Sequence, residues 1–230
     1  NNYGQLGLGD TTNRTSPTKV GTSTWKAVAG GWQHSLAIDS DGYLYSFGYN
    51  NYSQLGLGDT TNRTSPTKVG TSTWIAVACG YYHSLAIDSD GYLYSFGRND
   101  YGQLGQGTSD LNAHPTPTKV GTSTWKAVAT GPAYHSLAID SDGYLYSFGQ
   151  NNYGQLGLGD TTNRTSPTKV GTSTWKAVAG GWQHSLAIDS DGYLYSFGYN
   201  NYSQLGLGDT TNRTSPTKVG TSTWIAVACG

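Results

Sequence analysis

Residues able to act as acids, bases, nucleophiles or metal ligands recur at fixed places in this chain. His34, His83, His135 and His184 each open the string HSLAIDSDGYLYSFG. Each is followed directly by a serine and, five residues on, by an aspartate. Those are the residue types of an acyl-transfer triad. The spacing argues against one, because adjacent residues of a strand point to opposite faces and His34 cannot reach Ser35. As metal ligands the histidines stand about fifty residues apart and offer no local pair. They read instead as histidines that hydrogen-bond a neighbouring loop. No catalytic, cofactor or metal site is expected.

Other stretches read in the same structural way. Asp39-Ser40-Asp41-Gly42 has the aspartates of a calcium loop but not its distal glutamate, and the chain contains no Glu at all. It is a tight turn. The glycine-rich Gly4-Gln5-Leu6-Gly7-Leu8-Gly9 is followed by no helix, so it lacks the N-terminus that a phosphate cradle needs. Cys79 and Cys229 share one repeat position, where the other copies hold Gly30, Thr130 and Gly180. They read as small buried residues, not as a disulfide. Asn13, Asn62, Asn163, Asn212, Asn51 and Asn201 begin N-x-S/T triplets and are the candidate N-glycosylation sites.

The elements that position these residues follow from the repeats. The HSLAID string occurs four times, while PTKVG and TSTW(K/I)AVA occur five times each. A longer period lies above this one, because residues 1–80 are identical to residues 151–230. One block differs from the rest. Its segment 108–117, TSDLNAHPTP, is two residues longer than its counterparts, and Gly131-Pro132-Ala133-Tyr134 adds one more. The array divides into a partial blade 1–30 and blades 31–80, 81–131, 132–180 and 181–230. Each block holds Trp25–Ala29, His34–Ile38, Tyr43–Phe47 and Pro17–Val20 type strands, with an Asp-Gly hairpin turn between the second and third. Both faces of these strands are apolar or small, which suits sheets stacked side by side around an axis. The expected fold is all-β, in blades of four antiparallel strands at about 50 residues per repeat. They form either an incomplete ring or an open superhelical array.

Composition narrows the functions. Charged residues make up 12% and the net charge is -1, so no nucleic acid is expected to be held through its phosphates. No apolar run is long enough to span a bilayer. The sequence has no Met and is expected to continue beyond both ends.

At this point the residues carry a family likeness. Tyr45-Ser46-Phe47-Gly48-Tyr49-Asn50-Asn51-Tyr52-Ser53-Gln54-Leu55-Gly56-Leu57-Gly58-Asp59 resembles the strand end and N-x-x-G-Q-L-G-x-G-D loop of regulator-of-chromosome-condensation repeats. Val77-Ala78-Cys79-Gly80-Tyr81-Tyr82-His83-Ser84-Leu85-Ala86 is similar to that family's V-A-C-G-x-x-H-S/T-L-A signature. The resemblance implies a β-propeller of four-stranded blades, usually seven. It spans functions as different as a chromatin-bound exchange factor, a plant ultraviolet-B photoreceptor and a secreted β-lactamase inhibitor. Where the photoreceptor has G-W-R-H-T, this chain has Gly31-Trp32-Gln33-His34-Ser35, with Gln in place of Arg.

The leading expectation is a non-enzymatic, secreted or surface-exposed structural repeat protein. It would form a scaffold or filament by self-association with further copies of the repeat, in an extracellular or cell-surface location. The alternative is a closed propeller that binds a protein or carbohydrate through rim loops. Trp32, Tyr81, Tyr82, Tyr134 and Trp182 occupy equivalent turns and form the candidate rim surface.

Overall fold

The computed structural model describes residues 1–229; Gly230, which closes the sequence block 181–230, lies outside the described residues. Among the described residues there are thirteen strands and no helix, hence no helix long and apolar enough to cross a membrane. The strands are β1 (Trp25–Gly30), β2 (His34–Asp39), β3 (Tyr43–Gly48), β4 (Arg63–Cys79), β5 (His83–Asp88), β6 (Tyr92–Asn99) and β7 (Asp110–Thr130). They continue as β8 (His135–Asp140), β9 (Tyr144–Gly149), β10 (Arg164–Gly180), β11 (His184–Asp189), β12 (Tyr193–Gly198) and β13 (Arg213–Thr223). Each pairs antiparallel with its sequence neighbours.

The hairpin β2–β3 shows how the local sequence acts. Its register runs from His34↔Gly48 to Ile38↔Leu44. The turn is closed by the Gly42 N–H donating to the Asp39 carbonyl at 3.0 Å. The Asp39 carboxylate accepts from the Asp41 and Tyr43 amides at 3.1 and 2.8 Å. The aspartates of the DSDG stretch therefore cap a turn.

The long strands β4, β7 and β10 are each shared by two sheets. In β4, Thr67 pairs with Ser46 of β3, and ten residues on Val77 pairs with Ala86 of β5. Two separate short strands were expected here. The chain kinks between them at Gly70, φ +60, and the register against β3 slips between Lys68 and Thr73, so each half pairs with its own hairpin. The result is four blades of four strands each, in an unclosed array.

The core lies between blades. Leu36, Ile38, Leu44 and Val69 of the first blade pack against Trp74, Cys79, Ala86 and Phe96 of the second. The same faces meet at the next two junctions. Full burial of one such large apolar side chain contributes about 1.5–3 kcal/mol. The glycine loop of each of the first three blades closes over the next blade's Phe. A Cβ on Gly56 would lie 2.9 Å from the Phe96 ring, so glycine here permits the close approach.

Candidate functional site

The loops at one end of the blades are held by their own asparagines. Asn50 Oδ1 accepts from the Leu55 amide at 2.9 Å, and Asn50 Nδ2 donates to the Asp59 and Thr61 carbonyls at 3.0 and 3.1 Å. The Asn62 carboxamide oxygen accepts from the Asn50 amide at 2.8 Å, and Asn163 and Asn212 do the same in their blades. Asn13 accepts from the chain's amino group at 2.6 Å. These four triplet asparagines thus close loops; Asn13, Asn62 and Asn163 are nonetheless exposed, as are Asn51 and Asn201, and Asn212 is half-buried. An Asp59–Arg63 ion pair at 2.6 Å clasps the loop, with Asp10–Arg14, Asp160–Arg164 and Asp209–Arg213 equivalent to it. The hydrogen bond from Arg63 holds the Asp59 carboxyl below its usual range.

The histidines link blades. His34 Nε2 lies 2.9 Å from Ser84 Oγ, His83 Nε2 2.9 Å from Ser136 Oγ, and His135 Nε2 3.0 Å from Ser185 Oγ. Each of those hydroxyls donates its proton to a backbone carbonyl, Ser84 to Gln54 at 2.7 Å and Ser136 to Gln103 at 2.8 Å. The serine therefore accepts from a neutral imidazole and has no proton free to give it. Burial pushes the His34 imidazole down to about 4 and those of His83 and His135 down to about 3. Among the described residues no three His, Cys, Asp or Glu side chains converge as metal ligands.

On the same end as the asparagine loops, aromatic rings run continuously across three blades. Trp32 stacks on Tyr81 at 5.1 Å, and Tyr81 meets Tyr82 at 4.4 Å and Tyr134 at 5.1 Å. Tyr82 stacks on Tyr52 at 4.6 Å and touches Tyr49, which meets Tyr3 at 4.7 Å. Tyr101 extends the run from Tyr134 at 5.1 Å. Arg98 sits in the middle, 4.9, 5.8 and 5.2 Å from the centroids of Tyr52, Tyr82 and Tyr134. Asp100 fixes it through an ion pair at 2.5 Å. Burial, followed by the neighbouring Tyr81, pushes the Tyr82 phenol upward.

Of the five rim residues named from the sequence, Trp32, Tyr81, Tyr82 and Tyr134 are brought together. Trp182, 62% exposed on the fourth blade, belongs to none of these ring pairs. Sequence reasoning missed Arg98, Asp100, Tyr3, Tyr49, Tyr52 and Tyr101. Arg98 had a signal, because Tyr49, Gln150 and Tyr199 hold the equivalent position.

Comparison with known proteins agrees with the blade architecture. An RCC1-like domain model matches residues 74–230, and the regulator of chromosome condensation (RCC1) repeat matches residues 1–38 and 41–87. Human WBSCR16 superposes with a TM-score of 0.86 at 25% identity, over 100% of this chain and 63% of that one. Prp20p of Saccharomyces cerevisiae, which binds Gsp1p and histones, superposes at 0.84 with 27% identity, over 94% of this chain and 57% of its own. Prp20 has also been solved bound to Kap60. The ultraviolet-B receptor UVR8 of Arabidopsis thaliana is 41% identical over 51 residues, 21% of this chain and 12% of the receptor. The chain thus spans less than two thirds of the length of each of these relatives.

These relatives correct two expectations. A secreted structural scaffold or filament is overturned by structural neighbours that bind named protein partners. The extracellular or cell-surface location falls with it, because the repeat is named for chromosome condensation and one neighbour binds histones, which pack chromosomes inside the cell. The alternative of a partner-binding module is the better supported of the two. The match of the domain model to more than half of the residues, with the repeat model over the remainder, shows that this chain belongs to the RCC1-like domain family.

Proposed function

We propose that this chain is a protein-binding propeller module whose docking face is the aromatic rim. The observation that carries the reading is the unbroken run from Tyr3 to Tyr101 with Arg98 at its centre. Tyr, Trp and Arg are the residues that dominate binding energy at protein interfaces. Trp32 presents a large ring, 51% exposed, that branches from the run at Tyr81. The protein-binding relatives support a protein as the partner. The His–Ser contacts argue for a binding role over a catalytic one, since each serine proton is committed to a carbonyl. The array, divided as partial blade 1–30 and blades 31–80, 81–131, 132–180 and 181–230, would act as one unit.

The test is site-specific photocrosslinking in extracts of the source cells. A photoreactive residue at Trp32 or Tyr81 is expected to give discrete protein adducts. The same residue at Ser40 or Asp41, on the turns at the opposite end, is expected to give none. Tyr82→Ala should weaken the Trp32 adducts. Equal adducts from both ends would overturn the rim assignment.

A further inference from the structure

The near-identity of the blades provides an internal control. Where one blade departs from the others at a loop, the fold does not require the change, because its sister blades fold without it. Three departures meet at one place. Arg98 stands where the other blades hold Tyr49, Gln150 and Tyr199; Asp100 stands where they hold Asn51, Asn152 and Asn201; and the segment 108–117 carries two extra residues. Arg98, Asp100 and residues 111–113 of that segment, with Asn51 and Tyr52 of the preceding loop, line a cavity of about 310 Å³. That volume lies within the range of small-ligand sites.

The longer segment is built to stand over this cavity. It extends the β6–β7 ladder by the pair Asn99↔Asp110. Asp110 Oδ1 accepts from the Asn112 amide at 2.9 Å and lies 3.1 Å from His114 Nε2, which replaces the arginine of the other loops. Leu111 and Asn112 are thereby placed at the mouth. Leu111 is 87% exposed. The fold gains little from an apolar side chain left in water.

Across the cavity the guanidinium of Arg98 is locked in place. Its Nε donates to both Asp100 oxygens at 2.6 and 2.8 Å, and its Nη1 lies 3.4 Å from the Tyr134 hydroxyl. The positive and negative charges cancel, so the cavity favours neither an anion nor a cation. What it presents is a set of planar polar groups, the Arg98 guanidinium, the Asp100 carboxylate and the Asn51 and Asn112 amides, beside the apolar surfaces of Tyr52 and Leu111. Such groups donate and accept in fixed pairs that match adjacent hydroxyls. The apolar walls match the C–H face of a sugar ring.

We infer that this cavity, which opens within the rim face, binds a neutral saccharide of one or two pyranose rings. The test is saturation-transfer NMR on the 230-residue chain. The probes are the methyl glycosides of glucose, galactose, mannose and N-acetylglucosamine. At least one is expected to receive saturation. The double variant Arg98→Tyr/Asp100→Asn restores residues that other blades fold with, and should weaken that glycoside about tenfold or more. Asp41→Asn, on an exposed turn at the opposite end, should leave it unchanged. The absence of transfer to every glycoside would overturn the inference, as would binding that survives the double variant. If the double variant lost the photocrosslinked protein adducts while no glycoside bound, the cavity would belong to the protein interface instead.

Discussion

His83 Nε2 lies 2.9 Å from Ser136 Oγ, 53 residues away and on the next blade. The two are adjacent in neither sequence nor sheet, yet the contact repeats at each junction, from His34 to Ser84 and from His135 to Ser185. A strand's alternation explains it. His and the following Ser point to opposite faces, so the His of one blade meets the Ser of its neighbour.

This arrangement predicts a pH-dependent stability. Burial lowers the His83 and His135 imidazoles from 6.5 to about 3 and that of His34 to about 4. A base with a depressed folded-state value takes up its proton first in the unfolded chain. Stability is therefore complete above pH about 6.5 and falls as the pH drops below it. Each such histidine contributes a slope of about 1.4 kcal/mol per pH unit. Urea unfolding between pH 6.5 and 5, above the usual carboxylate range, should show the slope, and His83→Gln should reduce it by about one histidine's worth. An unchanged slope would refute the buried neutral imidazole. Ser136→Ala should cost about 1–3 kcal/mol at pH 7, by leaving the His83 N–H without a partner.

The glycine loop offers a paired test. Gly56 has φ +70 and a Cβ there would meet the Phe96 ring at 2.9 Å, while Gly58 has φ +83 and open space around it. Gly58→Ala should cost only the backbone term, about 1–2 kcal/mol. Gly56→Ala should add overpacking of the blade junction, for a total of about 2–4 kcal/mol. Equal losses in urea midpoint would mean that the loop does not lock the junction.

Ser203 adopts φ +59 where the first, third and fourth copies of this loop have glycine, at Gly4, Gly102 and Gly154. It is exposed. Ser203→Gly relieves left-handed strain at the expense of greater freedom in the unfolded chain. The expected net gain is about 0.5–1 kcal/mol, read as a rise in melting temperature.

Asn151 and Asn152 are neighbours with unlike roles. Asn151 accepts from the Leu156 amide at 2.9 Å and donates to the Asp160 and Thr162 carbonyls. Asn151→Ala should cost about 2–3 kcal/mol, because a buried amide loses its acceptor. Asn152→Ala, on the exposed side of the same loop, should fall within about 0.5 kcal/mol of wild type.

Much of the fold was legible in the residues. The Asp-Gly turn, the alternation in YLYSFG and the fifty-residue period specify hairpins and blades, because turn chemistry and strand period act over a few residues. The rim was half legible. Aromatics at equivalent turns pointed to Trp32, Tyr81, Tyr82 and Tyr134. Arg98, Asp100 and Tyr52 joined them only when neighbouring blades brought separate loops together, as in the 4.9 Å approach of Arg98 to Tyr52. Function read from near-identical repeats alone pointed to a filament, and the relatives that bind protein partners corrected it.

The boundary between sequence and tertiary structure runs through β4. Its two halves read RTSPTKV and WIAVAC. The first pairs with β3 and the second with β5, and Val69 and Trp74 are 2% and 3% exposed. The sequence by itself determined which residues favour an extended, apolar-faced conformation. Only the tertiary structure decided which of them became strand and core, because a strand's hydrogen bonds and buried face are completed by a neighbouring hairpin and the next blade.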